Sequence, residues 1–213
     1  MTRIGIDYSL NSPAVCVDTG NRLEFLSFFN TEGHEWNRPN PLKKFATHNA
    51  ITGYVGMIPY ERTAKRKSWT YAEEQSAKMA DAEAMSRMIT GALEPYFSES
   101  AVISLEGFAF ASNGAAFIDL ILFNAFLRKE LIRRLGPECL EIVAPTSAKK
   151  LAGKGNADKE YMINAFRDNV LGDPALAETG LWKYLRTAEP DFKNIKPLDD
   201  IVDSYFILKS QTK

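Results

Sequence analysis

Thiol and imidazole chemistry have little to work with in these 213 residues, which include only two cysteines, Cys16 and Cys139, and two histidines, His34 and His48. The cysteines are far apart and form no Cys-x-x-Cys pair, which argues against a disulfide framework or a thiolate zinc site and for a reducing compartment. Two histidines cannot build a His-rich metal site. Any metal therefore has to be a hard ion held by carboxylates, such as Mg²⁺ with Mn²⁺ as substitute. Long apolar runs are also missing. Asp7 interrupts the N-terminus before a signal-peptide core can form, and the greasiest stretch, 117–127, is broken by Asp119 and Asn124. That stretch is too short to span a bilayer, so a soluble, cytoplasmic protein is expected. No charge of one sign dominates: 26 basic residues face 27 acidic ones for a net charge of −1, so any nucleic-acid footprint has to be local.

What is present is ordinary globular material, 45% hydrophobic and 25% charged, in a length that suits one domain, 1–213, carrying an insertion at about 30–69. Residues 3–8 read as a strand with Ile4 and Ile6 on one face and Asp7 on the other. Strands over 14–17 and 23–29 follow, joined by the turn Asp18-Thr19-Gly20-Asn21, which makes an antiparallel meander. Segment 30–69 is rich in Pro, Gly, Asn and aromatics without a sustained period, and its length implies small elements of its own. Thr70 and Glu73 form a capping-box pattern opening a helix whose buried stripe is Ala82, Met85, Ile89, Leu93 and Tyr96. A buried strand at 101–105, a helix at 115–135, a strand at 140–143 and a final helix at about 198–210 complete the order. The pattern predicts an α/β fold, with a mixed five-stranded sheet of three meander strands and two parallel strands, and helices on both faces.

Four carboxylates fall where chemistry needs them. Asp7 lies on the first strand, Glu106 closes the fourth, and Asp200 and Asp203 share a face of the last helix as i and i+3. Clustered buried carboxylates repel one another, and divalent cations bridging their oxygens resolve the conflict. A pair of such ions suits in-line phosphoryl transfer. Each acid alone also has an ordinary explanation as a strand end, a turn opener or a first-turn acid complementing the helix dipole. Asp199 reads as one of these, a solvated N-terminal acid.

The order and context of these acids resemble those of the RuvC family of Holliday junction resolvases, nucleases of RNase H-like fold. Ile4-Gly5-Ile6-Asp7 resembles their opening strand. Ser104-Leu105-Glu106 followed by Phe110-Ala111-Ser112-Asn113 resembles their second motif. Ala144-Pro145 through Lys149, continuing from Gly153 to Lys159, looks like their Ala-Pro, lysine and Gly-x-Gly block, and Asp200-Ile201-Val202-Asp203 matches their terminal Asp-x-x-Asp. The resemblance covers roughly 1–30 and 98–210. It implies that Asp7, Glu106, Asp200 and Asp203 bind two Mg²⁺ ions, with Lys149 and Lys159 catalytic beside the scissile phosphate. Gly153 and Gly155 would permit close approach of a phosphate.

It further implies a homodimer acting on branched DNA in the cytoplasm of a bacterium or a phage-infected host, with no membrane partner and no nucleotide cofactor. This sequence departs from the family in having Tyr8-Ser9 after the first aspartate. It also has Ala109, flanked by Phe108 and Phe110, where the family places an aromatic. The insertion has no counterpart in compact members, so the chain reads as a divergent, phage-type relative.

Candidate DNA-contacting residues are Arg62, Lys65, Arg66 and Lys67 near Trp69, then Lys149, Lys150 and Lys154, with Phe108 and Phe110 available to stack on bases. Other readings keep the fold but change the function: a less selective flap or branch nuclease, a ribonuclease for RNA–DNA hybrids, or a DNA-binding protein without catalysis. An actin-like ATP-binding reading needs a second similar domain, for which 213 residues leave no room.

Overall fold

The structure is a computed structural model that describes residues 1–31, 50–64, 66–108, 114–188 and 195–212. Its centre is one mixed sheet of strands β1 (Arg3–Asp7), β2 (Ala14–Asp18), β3 (Leu23–Asn30), β4 (Gly56–Tyr60), β5 (Val102–Glu106) and β6 (Leu140–Val143). The spatial order is β4-β3-β2-β1-β5-β6. β1, β2 and β3 form the antiparallel meander, while β5 lies parallel to β1 and β6 parallel to β5. This is the topology of an RNase H-like α/β fold.

The sheet has six strands, one more than the five expected. The extra strand, β4, comes from the 30–69 segment and pairs parallel with β3 at the edge. Pro59 cannot donate to a ladder, and an edge strand is where a sheet tolerates it. The rest of the expected insertion, residues 32–49, lies outside the described residues, as do Lys65 and Phe110.

Alternation along the strands sorts side chains between two cores. Ile4, Ile6, Val15, Val17 and Phe28 join helices α1 (Tyr71–Leu93) and α2 (Ala115–Leu135) on one face of the sheet. Ala14, Cys16 and Phe25 face the other side, where α3 (Pro145–Leu151), α4 (Lys159–Arg167), α5 (Pro174–Glu178), α6 (Gly180–Thr187) and α7 (Leu198–Lys209) pack. Thr70 caps α1 with both arms of the predicted capping box in place. No helix among the described residues is long and apolar enough to cross a membrane.

One close approach positions the site. Gly5 and Asp7 are i and i+2 on β1 and so share a face, the one opposite Ile4 and Ile6. A Cβ on Gly5 would sit 2.3 Å from the Ser204 carbonyl oxygen and 2.4 Å from the Leu208 nitrogen, both in α7. The bare glycine lets α7 lie directly on β1, and its first two turns carry Asp199, Asp200 and Asp203 toward the end of the strand that bears Asp7.

Candidate functional site

β1 and β5 run parallel with Ile6 opposite Leu105, so Asp7 and Glu106, the next residues along, end neighbouring strands at the same edge. α7 adds Asp200 and Asp203. The fold thus gathers four carboxylates from three elements remote in sequence. Asp7 is 8% exposed and Asp200 4%, while Glu106 and Asp203 are half-buried. Burial pushes the Asp7 carboxyl well above its ordinary value, and Asp200, Asp203 and Glu106 push it further, against Lys196. Burial, then Glu106, Asp200 and Asp199, raise Asp203 to about 7, with Lys149 opposing. Glu106 is raised by burial and Asp200 although Lys149 pulls it down. Asp200 is raised by burial, against the opposing charge of Lys196.

The two lysines take different places. Lys149 is half-buried and acts on both Glu106 and Asp203. Lys159 pairs with Asp199, not with any of the four acids. Asp199 is 3% exposed, so it is not the solvated acid its place in the first helical turn suggests. It takes Lys159 and, at 3.2 Å, Lys196, and its Oδ1 is buried without a partner among the described residues. Lys196 also pairs with Asp200, whose other oxygen accepts from the Ser12 hydroxyl. Ser12, Lys196 and Asp199 were not legible as site residues. They reach the acids through folding, and no motif marks them.

The remaining candidates separate. Lys150 and Lys154 are exposed on the α3 side, Lys154 lying 4.2 Å over the Tyr161 ring. A Cβ on Gly153, whose φ is +127°, would meet the Tyr161 hydroxyl at 2.5 Å, so this glycine makes room for a tyrosine. Arg66 lies 6.0 Å over Trp69 and is exposed, as is Lys67. Arg62 instead turns inward, 5.0 Å over the buried Phe123 ring. Phe108 lines a cleft of about 240 Å³ that also includes Glu106, Asp203, Lys149, Tyr8 and Asn124.

The donor set is all oxygen, buried and mutually repelling, and no described residue hydrogen-bonds the Asp7 carboxylate. That chemistry fits a hard divalent cation. As placed, no three acidic, histidine or cysteine side chains among the described residues stand close enough to hold an ion. Asp200 faces Lys196 and Ser12, so Lys196 supplies positive charge where these acids converge.

Fold and site together define an RNase H-like α/β protein with a carboxylate cluster at the ends of β1 and β5. Solved structures similar to it over nearly the whole chain include those of RuvC from Thermus thermophilus. One is 14% identical with a TM-score of 0.46, covering 99% of this chain and 94% of that one. The other is the T. thermophilus RuvC in complex with Holliday junction substrate, 16% identical with a TM-score of 0.45, covering 97% and 92%. No protein-family model matches the chain, and no curated protein does.

Proposed function

We propose that this protein is a metal-dependent endonuclease that cuts branched DNA, with the four-way junction as its preferred substrate. The observation that carries the reading is the gathering of Asp7, Glu106, Asp200 and Asp203, two of them buried and two half-buried, within one another's fields. A fold gains nothing in stability from such an arrangement, because Lys196 and Lys149 offset the mutual repulsion of the four acids only in part and their carboxyls stay raised. Function explains its presence.

In this reading Asp7, Glu106, Asp200 and Asp203 hold the metal. Bound divalent ions, Mg²⁺ or Mn²⁺ as a pair, supply an activated water and Lewis acidity at the phosphate. Lys149, beside Glu106 and Asp203 in the cleft, is placed to hold the negative charge of the phosphate. Lys196 balances the acids through its pair with Asp200. Lys159 anchors Asp199 and through it the start of α7, a positioning part rather than the catalytic one its sequence context implies. The exposed Lys150, Lys154, Arg66 and Lys67 add local positive charge for the DNA backbone.

A junction has two-fold symmetry, so paired cutting needs two copies of the chain. α2 offers a matching surface: Ile118, Ile121, Ala125 and Ile132 recur at helical spacing and are exposed. The same site on a single copy would nick flaps or RNA–DNA hybrids.

Labelled four-way junction, 5′-flap, plain duplex and RNA–DNA hybrid, each incubated with the protein and Mg²⁺, separate these readings. The expected result is symmetric paired nicks on the junction, at a rate at least about tenfold above the other substrates. Equal cutting of flap or duplex removes the junction preference and keeps the nuclease. No cutting of any substrate removes the nuclease.

A further inference from the structure

The segment that contributes β4 leads back to the rim of the sheet where the carboxylates gather. β2 is antiparallel to both β1 and β3, and β4 is parallel to β3, so β1, β3 and β4 all run one way. β4 therefore ends at the rim where β1 and β5 end in Asp7 and Glu106. Its last residue, Tyr60, donates its hydroxyl to the Leu10 carbonyl at 2.7 Å, in the loop that follows Asp7. Beyond it the backbone is pinned at and after Arg62. The Arg62 amide donates to the Asn30 side chain at 3.4 Å, and Thr63 donates through its amide and its hydroxyl to the two oxygens of Asp81, at 3.0 and 2.6 Å.

The Arg62 side chain, by contrast, ends without an acid. Half-buried, it lies 5.0 Å over the Phe123 ring and stands close enough to Tyr8 and Tyr60 for its charge to act on both phenols. Among the described residues its guanidinium makes no ion pair and no hydrogen bond; its Nε is buried, while the two Nη at the tip are not. Asp81, which also acts on Tyr60, has both oxygens taken by Thr63. A partly desolvated cation with no counter-charge costs free energy, of which the ring contact returns only part. Methionine, of similar length, would cover Phe123 without that cost. Packing therefore does not explain the guanidinium, and an anion does. A planar fork of donors on a fixed backbone matches the paired oxygens of a phosphate.

We infer that this segment carries Arg62 to the rim as a phosphate clamp, its guanidinium binding a backbone phosphate of the DNA that flanks the one to be cut. Lys149 reaches Glu106 and Asp203 from the β6 end of the sheet and Arg62 comes from the β4 end, so the bound strand crosses the rim between them. The inference rests on the nuclease reading above and gives the inserted segment its part in it.

The test measures binding of a labelled four-way junction in EDTA over a series of KCl concentrations, for the wild type, Arg62→Met and Arg62→Lys. Arg62→Met should bind about tenfold more weakly and lower the slope of log Kd against log salt by about one, the signature of one lost phosphate contact. Arg62→Lys should keep the slope and recover part of the affinity. Both variants should melt within about 2 °C of the wild type.

Junctions with a single uncharged methylphosphonate at each position around the crossover then locate the contact. One position should weaken the wild type by about tenfold and Arg62→Met by less than about twofold, because the two changes remove the same interaction. Wild-type affinity and slope in Arg62→Met overturn the inference. So does a loss that adds in full to that of every methylphosphonate, or a wild type that fails to bind the junction. Cutting of the junction by the wild type in Mg²⁺ leaves the nuclease reading standing through any of these results. A wild type that binds as expected but cuts no DNA in Mg²⁺ overturns that reading, and leaves no cut for Arg62 to flank.

Discussion

Asp7→Asn is expected to lower Mg²⁺-dependent cleavage by about 10³-fold or more, equivalent to roughly 4 kcal/mol of transition-state stabilisation, and at the same time to make the protein more stable. The two effects have one cause. Asp7 lies buried among Asp200, Asp203 and Glu106 with Lys196 as the opposing cation, and its proton is held well above the ordinary carboxylate range. A carboxyl whose folded pKa is raised contributes stability that is fully present below its unfolded pKa and lost as pH rises through the folded one. For Asp203 the folded value is about 7 against an ordinary 3.8, so its loss runs from about pH 4 to about pH 7. Asp7 is raised too, and its loss likewise begins near pH 4. Without metal, wild-type stability should therefore fall across that window. Asn at position 7 carries no charge, so the variant should fall less and melt higher at pH 8, by roughly 2–4 °C for each kcal/mol relieved. Thermal unfolding at pH 5 and pH 8, read beside cleavage rates, checks both parts. An Asp7→Asn protein that melts lower than the wild type at pH 8 would show that Asp7 is a structural anchor and not a strained ligand.

Gly5→Ala is the second large expectation. The added methyl would sit 2.3 Å from the Ser204 carbonyl oxygen and 2.4 Å from the Leu208 nitrogen. Both are backbone atoms of α7, which is almost entirely buried and cannot yield by rotating a side chain. The expected cost is at least about 3 kcal/mol, a fall in Tm of roughly 6–12 °C. Cleavage should fall with it even where the protein stays folded, because α7 carries Asp200 and Asp203 and would be lifted from the strand carrying Asp7. A Tm within about 2 °C of the wild type would contradict the direct seating of α7 on β1.

Much of this arrangement was legible in the sequence because it rests on local periodicity. Ile4 and Ile6 opposite Asp7, the Asp18-to-Asn21 turn and the Thr70–Glu73 capping box are each set by residues close together in the chain, and each appears in the structure. β4 was not legible: Pro59 demotes a strand reading, and the segment shows no alternation because its burial is shallow on both faces. The site divides along the same line. Acids at strand ends and on a helix face can be nominated from sequence. That Asp199 is buried and pairs with Lys159, forty residues earlier, and that Lys196 reaches Asp200 and Asp199, follows only from the fold.

Whether these carboxylates hold divalent metal is decided by Mn²⁺ binding, measured directly by electron paramagnetic resonance without any DNA present. Titrating Mn²⁺ into the wild type at pH 8 should deplete the free-ion signal saturably, with Asp7→Asn depleting it far less, and Mg²⁺ should compete the bound Mn²⁺ off the wild type. Equal depletion by both proteins, or none by either, would contradict a metal centre at Asp7, Glu106, Asp200 and Asp203.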